Sequence, residues 1–427
     1  MGSEWQIMTL EEAEVQLLDC IHKTPVAKEE GYPYVAIPQI KDGRIDLGDV
    51  RLISASDYLV WTKKARPEHW DIVLSRRCNP GTTAHVPRGL EFALGQNLVL
   101  LRSNGKYIFP PFLRWLTKSP FWWEEVKKYL NVGAVFDSLR CADIPHFHLP
   151  IPPIHEQRAI AHILGSLDDK IELNRKTNET LEAMARAVFK SWFVDFDPVR
   201  AKAEGRDPVR ARRGESGFAP NLPPEILNLF PDSFIDSELG QIPKGWEIKT
   251  IGEVVEFAYG KALKASNRKT GTVPVFGSNG PVGLHNEALV KGPGIVIGRK
   301  GNPGIVTWSS KDFFPIDTTF YVKKIGNISS LIYLFYALKD QDLPSLSADS
   351  AVPGLNRNMA YMNNILVPSD KVLSAFDEQV VPLFKKIDVN DDESVTLAAL
   401  RDTLLPKLIS GELRVPDAEK FVEEVGL

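Results

Sequence analysis

Leu167-Asp-Asp-Lys-Ile-Glu-Leu-Asn174 returns 216 residues later as Leu383-Phe-Lys-Lys-Ile-Asp-Val-Asn390. Around the first copy, Ile160, Leu164, Leu167, Ile171, Asn174, Asn178, Leu181, Ala185, Val188 and Trp192 follow one another at steps of four and three without a break. That spacing lays one stripe along a helix and is the heptad seam of a coiled coil. Moving each position by the same offset gives Phe376, Val380, Leu383, Ile387, Asn390, Ser394, Leu397, Arg401, Leu404 and Leu408. Both seams are mostly apolar toward their ends and polar at the middle. One such stripe alone would fit an ordinary amphipathic surface helix equally well. Two in one register, polar rungs included, make each the natural partner of the other. The rungs lie at both midpoints, so spacing leaves parallel and antiparallel pairing open. A helix over 154–194 would be roughly 60 Å long at about 1.5 Å per residue. Pro382 and Pro406 predict a kink or break in the second helix.

Working outward, the rest of the chain is also written twice. Trp5-Gln-Ile-Met-Thr-Leu-Glu-Glu12 matches Trp246-Glu-Ile-Lys-Thr-Ile-Gly-Glu253. Ile72-Val-Leu-Ser-Arg-Arg-Cys-Asn-Pro-Gly81 matches Ile295-Val-Ile-Gly-Arg-Lys-Gly-Asn-Pro-Gly304. The matches are collinear and their offsets drift slowly, as changes in loop length would produce. Two copies are too few for a solenoid. They predict a pseudo-two-fold chain: globular unit over 1–150, long helix over 151–194, linker over 195–244, globular unit over 245–368, long helix over 369–412, and a tail over 413–427. The linker holds the tandem Asp197-Pro-Val-Arg-Ala201 and Asp207-Pro-Val-Arg-Ala211, followed by several prolines. Strand-like runs (Gly294–Gly298, Thr319–Val322) and short helical runs (Phe112–Thr117, Leu331–Leu338) make each unit α+β.

The chain has 427 residues, 43% hydrophobic and 25% charged, so it contains material for more than one core. Its three cysteines have no metal-ligand spacing and suit a reducing cytoplasm. The N-terminal stretch lacks a signal-peptide pattern, and Gln6 stands where a myristoylation motif requires Ser or Thr. The net charge of −4 conceals patches. From Gly260 to Gly304 there are seven basic residues and one acid, and from Trp61 to Leu90 six and two; Lys371 to Leu427 has seven and twelve. Arg and Lys beside Asn and Gly in loops are the parts needed for phosphate contacts and base-edge hydrogen bonds. Candidates on these grounds are Arg76, Arg77, Lys261, Lys264, Arg268, Asn279, Arg299, Lys300 and Asn302. For any single one, a solvated surface position is the plainer alternative. Asn302-Pro303 and Asn79-Pro80 could equally be turn devices. The argument for DNA is that both copies carry the excess at matching places, Arg76-Arg77 and Arg299-Lys300.

No catalytic set emerges. The sequence has no phosphate-binding loop of the Walker type, and Gly292–Gly298 does not open a dinucleotide fold. His146, His148 and His155 lie near Cys141 at spacing poor for zinc, beside Pro150–Pro153. Glu125-Val-Lys127 is half of a nuclease-like acid-x-Lys triplet with no evident acidic partner.

Pro150-Ile-Pro-Pro-Ile-His-Glu-Gln-Arg-Ala-Ile160, the Leu167–Asn174 segment and Phe189-Lys-Ser-Trp-Phe-Val-Asp-Phe-Asp-Pro-Val-Arg200 closely resemble the central region of the specificity (S) subunit of type I restriction–modification systems. Phe230–Gly240 with Ile242-Pro-Lys-Gly-Trp246 is similar to that family's entry into its second half, and Leu404-Leu-Pro-Lys-Leu-Ile-Ser-Gly-Glu-Leu413 to its closing motif. The resemblance implies two target recognition domains, each reading half of a split DNA site. It implies an antiparallel coiled coil that sets the gap and docks two modification subunits, which use S-adenosylmethionine to methylate adenine. Restriction subunits, using ATP and Mg, would join that core, and this chain itself would hold no catalytic residue or cofactor. The candidate DNA residues rest on charge and loop chemistry, since resemblance is weakest inside the recognition domains. The readings that compete with this one are a self-sufficient nuclease or methyltransferase and a helical scaffold that touches only protein.

Overall fold

The computed structural model describes residues 5–133, 136–205, 222–326, 328–348, 353–424 and 426. The second half of the linker tandem, 207–211, lies outside them. The chain divides into two compact units, Met1–Asn174 with Glu393–Leu427, and Arg175–Asp392. Two long helices, Ile154–Phe193 and Asp370–Ser410, each contribute one segment to either unit.

The two units repeat one topology. In unit one, strand Gln6–Thr9 pairs antiparallel with His148–Ile151, Gln6 opposite Ile151. In unit two, Glu247–Thr250 pairs with Asn364–Val367, Glu247 opposite Val367. The repeated Thr and Glu of the opening motif explain how each strand ends. Glu12 Oε2 accepts from Thr9 N at 2.8 Å and Thr9 Oγ1 accepts from Glu12 N at 3.0 Å. In unit two Glu253 Oε2 accepts from Thr250 N at 2.7 Å and from Thr250 Oγ1 at 2.8 Å at the start of a short helix. A four-stranded antiparallel sheet follows, ordered Val15–Asp19, Leu98–Ser103, Ile72–Ser75, Thr83–His85 in unit one. Its twin is ordered Val255–Tyr259, Thr319–Lys324, Gly294–Gly298, Val306–Ser309. Each unit adds a three-stranded sheet with one parallel pair: Tyr32–Val35 beside Ala93–Leu94, and Val273–Gly277 beside Phe314–Pro315.

The apolar runs are continuous because both faces of the four-stranded sheets are covered. Ile72, Leu74, Val99 and Leu101 pack toward Phe112, Trp115 and the start of the first long helix. The alternate residues Val73, Leu98 and Leu100 pack with Val35 and Phe92. In unit two Ile295, Ile297, Phe257 and Phe320 face the helical side, while Val296 meets Phe276 and Phe313. Burying one such side chain is worth about 1.5–3 kcal/mol.

Within each unit the long-helix segments pack antiparallel. In unit one Asn174 Nδ2 donates to Ser394 Oγ at 3.3 Å and to Glu393 Oε2 at 2.7 Å, while Asp168 meets Arg401. In unit two Asn390 Nδ2 donates to Asn178 Oδ1 at 2.7 Å, while Trp192 lies 6.0 Å from Phe376, ring centre to ring centre. In both, a later residue on one helix meets an earlier residue on the other. The seam residues sit at these contacts: Ile160, Leu164, Leu167, Asn174, Val380, Asn390, Leu397 and Leu404 are buried, and Ile171, Leu181, Val188, Leu383 and Ile387 are half-buried. The second helix runs unbroken through Pro382 and Pro406, contrary to a break. Pro382 is exposed, so solvent can satisfy the carbonyl that loses its intrahelical N–H.

The segments read as linker and tail carry structure of their own. Asp197–Ala203 and Pro224–Leu227 are short helices, Phe234–Ser237 and Gly240–Pro243 form a ribbon, and Val199, Leu222 and Phe230 are buried in the core of unit two. Phe230 stands edge-on to Trp192 at 5.0 Å. Val415–Glu424 is a helix that buries Ala418 and Val422. Among the described residues no helix is long and apolar enough to cross a membrane.

Candidate nucleic-acid interface

The two basic loops are built alike. After strand Ile72–Ser75 the chain turns through Arg76-Arg77-Cys78-Asn79-Pro80, and Gly81 N closes the turn on Ser75 O at 2.9 Å. After Gly294–Gly298 it turns through Arg299-Lys300-Gly301-Asn302-Pro303, and Gly304 N closes on Gly298 O at 2.8 Å. Both closing glycines have positive φ, 93° and 82°. A Cβ at Gly304 would also lie 2.3 Å from Pro344 N, so glycine is required there. Arg76 N donates to Asn97 O and Arg299 N to Thr318 O; Arg76 O accepts from Leu139 N and Arg299 O from Leu355 N. The repeated sequence thus fixes the same backbone twice, and the Asn-Pro pairs serve the turn.

The side chains diverge. Arg76 is only 13% exposed; Nη1 donates to Leu139 O at 3.3 Å and Nη2 lies 4.0 Å from Asp19. Arg77 is exposed. In unit two Arg299 donates from Nε to Asp317 O at 3.0 Å and lies over Tyr259, 5.3 Å from the ring centre. Lys300 and Asn302 are exposed. Asp19 and Tyr259 hold matching places, opposite Val99 and Phe320 respectively. One arginine therefore faces a carboxylate where the other faces an aromatic ring.

The other candidates also lie in unit two. Asn279 is exposed in the tight turn between Gly277 and Gly280, and the neighbouring Ser278 approaches Gly298 and Gly301. Lys261 N donates to Pro315 O at 3.0 Å and its side chain is exposed, as is that of Lys264. Arg268 is half-buried along the Gly280–His285 strand, where Nη1 donates to Val282 O at 2.5 Å.

Sequence reasoning missed Arg357. It joins Arg299, Lys300, Tyr259 and Asn358 around a concavity of about 370 Å³. Its guanidinium lies 5.0 Å from the centre of Tyr259 and 5.7 Å from that of Tyr361. No charge cluster in the sequence marks it, because its neighbours come from distant segments. In unit one a wider cleft of about 1150 Å³ runs beside Cys78, Asn79 and Gln96. Its charges are mixed, with Lys28, Lys41 and Arg51 set against Glu29 and Asp49.

Of the residues weighed for catalysis or metal binding, Glu125 and His146 have protein partners. Glu125 is buried; its carboxylate accepts from His148 N at 3.0 Å and pairs with Lys128. His146 lies 3.8 Å from Glu11. Asp19, Cys20 and His22 come together, and His22 Nε2 bonds Asp19 at 3.0 Å while its other nitrogen faces Cys20 at 3.8 Å.

A family model described as "Type I restriction modification DNA specificity domain" matches residues 2–183 and 243–371. The type I restriction enzyme HindI specificity subunit of Haemophilus influenzae is 27% identical over 386 residues, covering 75% of this chain and 81% of that protein. The MjaIX specificity subunit of Methanocaldococcus jannaschii is 25% identical over 367 residues, covering 78% and 77%. Among solved structures, the type I restriction–modification S subunit from M. genitalium superposes with a TM-score of 0.55 at 18% identity, covering 95% of this chain and 96% of that one, a likeness of fold.

Proposed function

The chain belongs to the family of type I restriction–modification DNA specificity domains, and from that premise we propose that it is the non-catalytic subunit that selects a bipartite DNA site, one half per unit. The observation that carries the proposal is the doubled basic loop, Arg76-Arg77 and Arg299-Lys300, presented on matching backbones by two units of one topology. Two copies of one reading module on one chain suit two half-sites. The long helices supply the docking surface for two modification subunits, and restriction subunits join that assembly. S-adenosylmethionine, ATP and Mg reside in those partners, and the complex works in the cytoplasm.

The test is reconstitution. The chain with modification subunits should bind duplex DNA with an affinity that falls steeply with salt and methylate adenines flanking a split target. The chain alone, given magnesium or S-adenosylmethionine, should leave DNA unchanged. Cleavage or methylation by the chain alone would replace this reading with that of a self-sufficient enzyme. Salt-independent assembly without DNA binding would replace it with a protein scaffold.

A further inference from the structure

Among the described residues, the concavity in unit two is lined by three cations, Arg299, Lys300 and Arg357, and by no carboxylate. Among the described residues, the side chains of Arg357 and Lys300 give no hydrogen bond or ion pair, whereas Arg299 spends its Nε on Asp317 O. Arg357 is nevertheless held in place, packed against both Tyr259 and Tyr361. A guanidinium laid on aromatic rings keeps its fork of N–H donors ordered before any ligand arrives, so less entropy is lost on binding. The ligand that satisfies such a site is an anion rich in acceptors and free of donors.

Shape separates the two candidate parts of a duplex. Base edges are recessed in a groove and are read by side chains that project. Phosphates stand outward and can enter a hollow. Unit one lacks the site, because Asp19 takes the place of Tyr259 and lies 4.0 Å from Arg76. Of the two matching arginines, Arg76 thus faces a carboxylate and Arg299 faces an aromatic ring.

We infer that Arg299, Lys300 and Arg357 form a phosphate clamp on the DNA backbone beside the second half-site, in which Arg357 positions the duplex without reading sequence. The inference rests on the proposed function. The experiment uses the full chain assembled with its modification subunits. R357Q should weaken DNA binding about tenfold at moderate salt. It should make the slope of log affinity against log salt shallower by about one, with the methylated sequence unchanged. R357K, which keeps the charge, should restore the slope. A changed base in the second half-site, or an unchanged salt slope, would overturn the clamp. If the unaltered complex binds no specific sequence, the failure belongs to the functional reading and not to Arg357.

Discussion

Asn390 on the second long helix donates a 2.7 Å hydrogen bond to Asn178 on the first. Asn178 in turn donates to Asp391 at 2.7 Å. Amides at seam positions cost stability relative to leucine, but a mispaired register strands their polar atoms in apolar surroundings.

Replacing one member is therefore expected to cost more than replacing both. N390V should lower unfolding free energy by about 1 kcal/mol, because the Asn178 carbonyl loses its donor. N178V/N390V together should recover most of that loss, as read by thermal melts at fixed concentration. Equal or larger loss in the double variant would show that the amide pair is not a unit.

Asp168 is a heavier dependency. It is 3% exposed and pairs with Arg114, itself buried, and with Arg401, while Arg44 stands 3.8 Å away. Burial, with the nearby Arg44, draws the Arg114 pKa down to about 9, which still leaves it charged at neutral pH. D168A leaves the buried Arg114 guanidinium without its anion and should cost about 3–5 kcal/mol. R401A should cost clearly less, because Asp168 keeps Arg114. Denaturant melts of both variants give the ranking, and a milder D168A would count against the node. At the matching place in unit two stands Phe384, ringed by Trp308, Phe335 and Tyr336.

Adjacent arginines should separate stability from DNA binding. R77A removes an exposed side chain and should stay within about 0.5 kcal/mol of the original stability while weakening DNA binding. R76A removes a mostly buried group hydrogen-bonded to Leu139 O, and should lower the melting temperature visibly. Melting curves and binding titrations on both variants would expose the reverse pattern if the assignment is wrong.

His85 supplies a pH signature. Burial, then the nearby Arg114, pushes its pKa down to about 3. An unfolded histidine titrates near 6.5. Between those values the unfolded chain binds a proton that the folded chain refuses, so stability falls as pH drops from about 6.5 toward 3. H85Q should remove this share of the acid sensitivity, making the melting temperature less steep with pH over that window. An unchanged slope would mean that His85 takes up its proton in the folded state.

The sequence revealed much of the scaffold because that information is local and doubled. The heptad phase, the Thr–Glu pairs at Thr9 and Thr250, and the Arg-Arg and Arg-Lys turns each recur as short motifs whose geometry follows from residues a few places apart. Other features depended on distant segments meeting. Arg357 gained meaning only when Tyr259 and Arg299 came to lie beside it. Arg76 looked as available as Arg77 until Asp19 and Leu139 closed on it. Prolines at 382 and 406 read as breaks because their cost is local, whereas the packing that carries the helix past them is tertiary.

The most direct test of the central claim is a map of methylated adenines made by the assembled complex before and after exchanging residues 1–150 for the corresponding segment of another family member. The account predicts that one half of the split target changes while the other half and the gap between them stay as they were. A target that changes in both halves, or that proves to be one unbroken sequence, would contradict it.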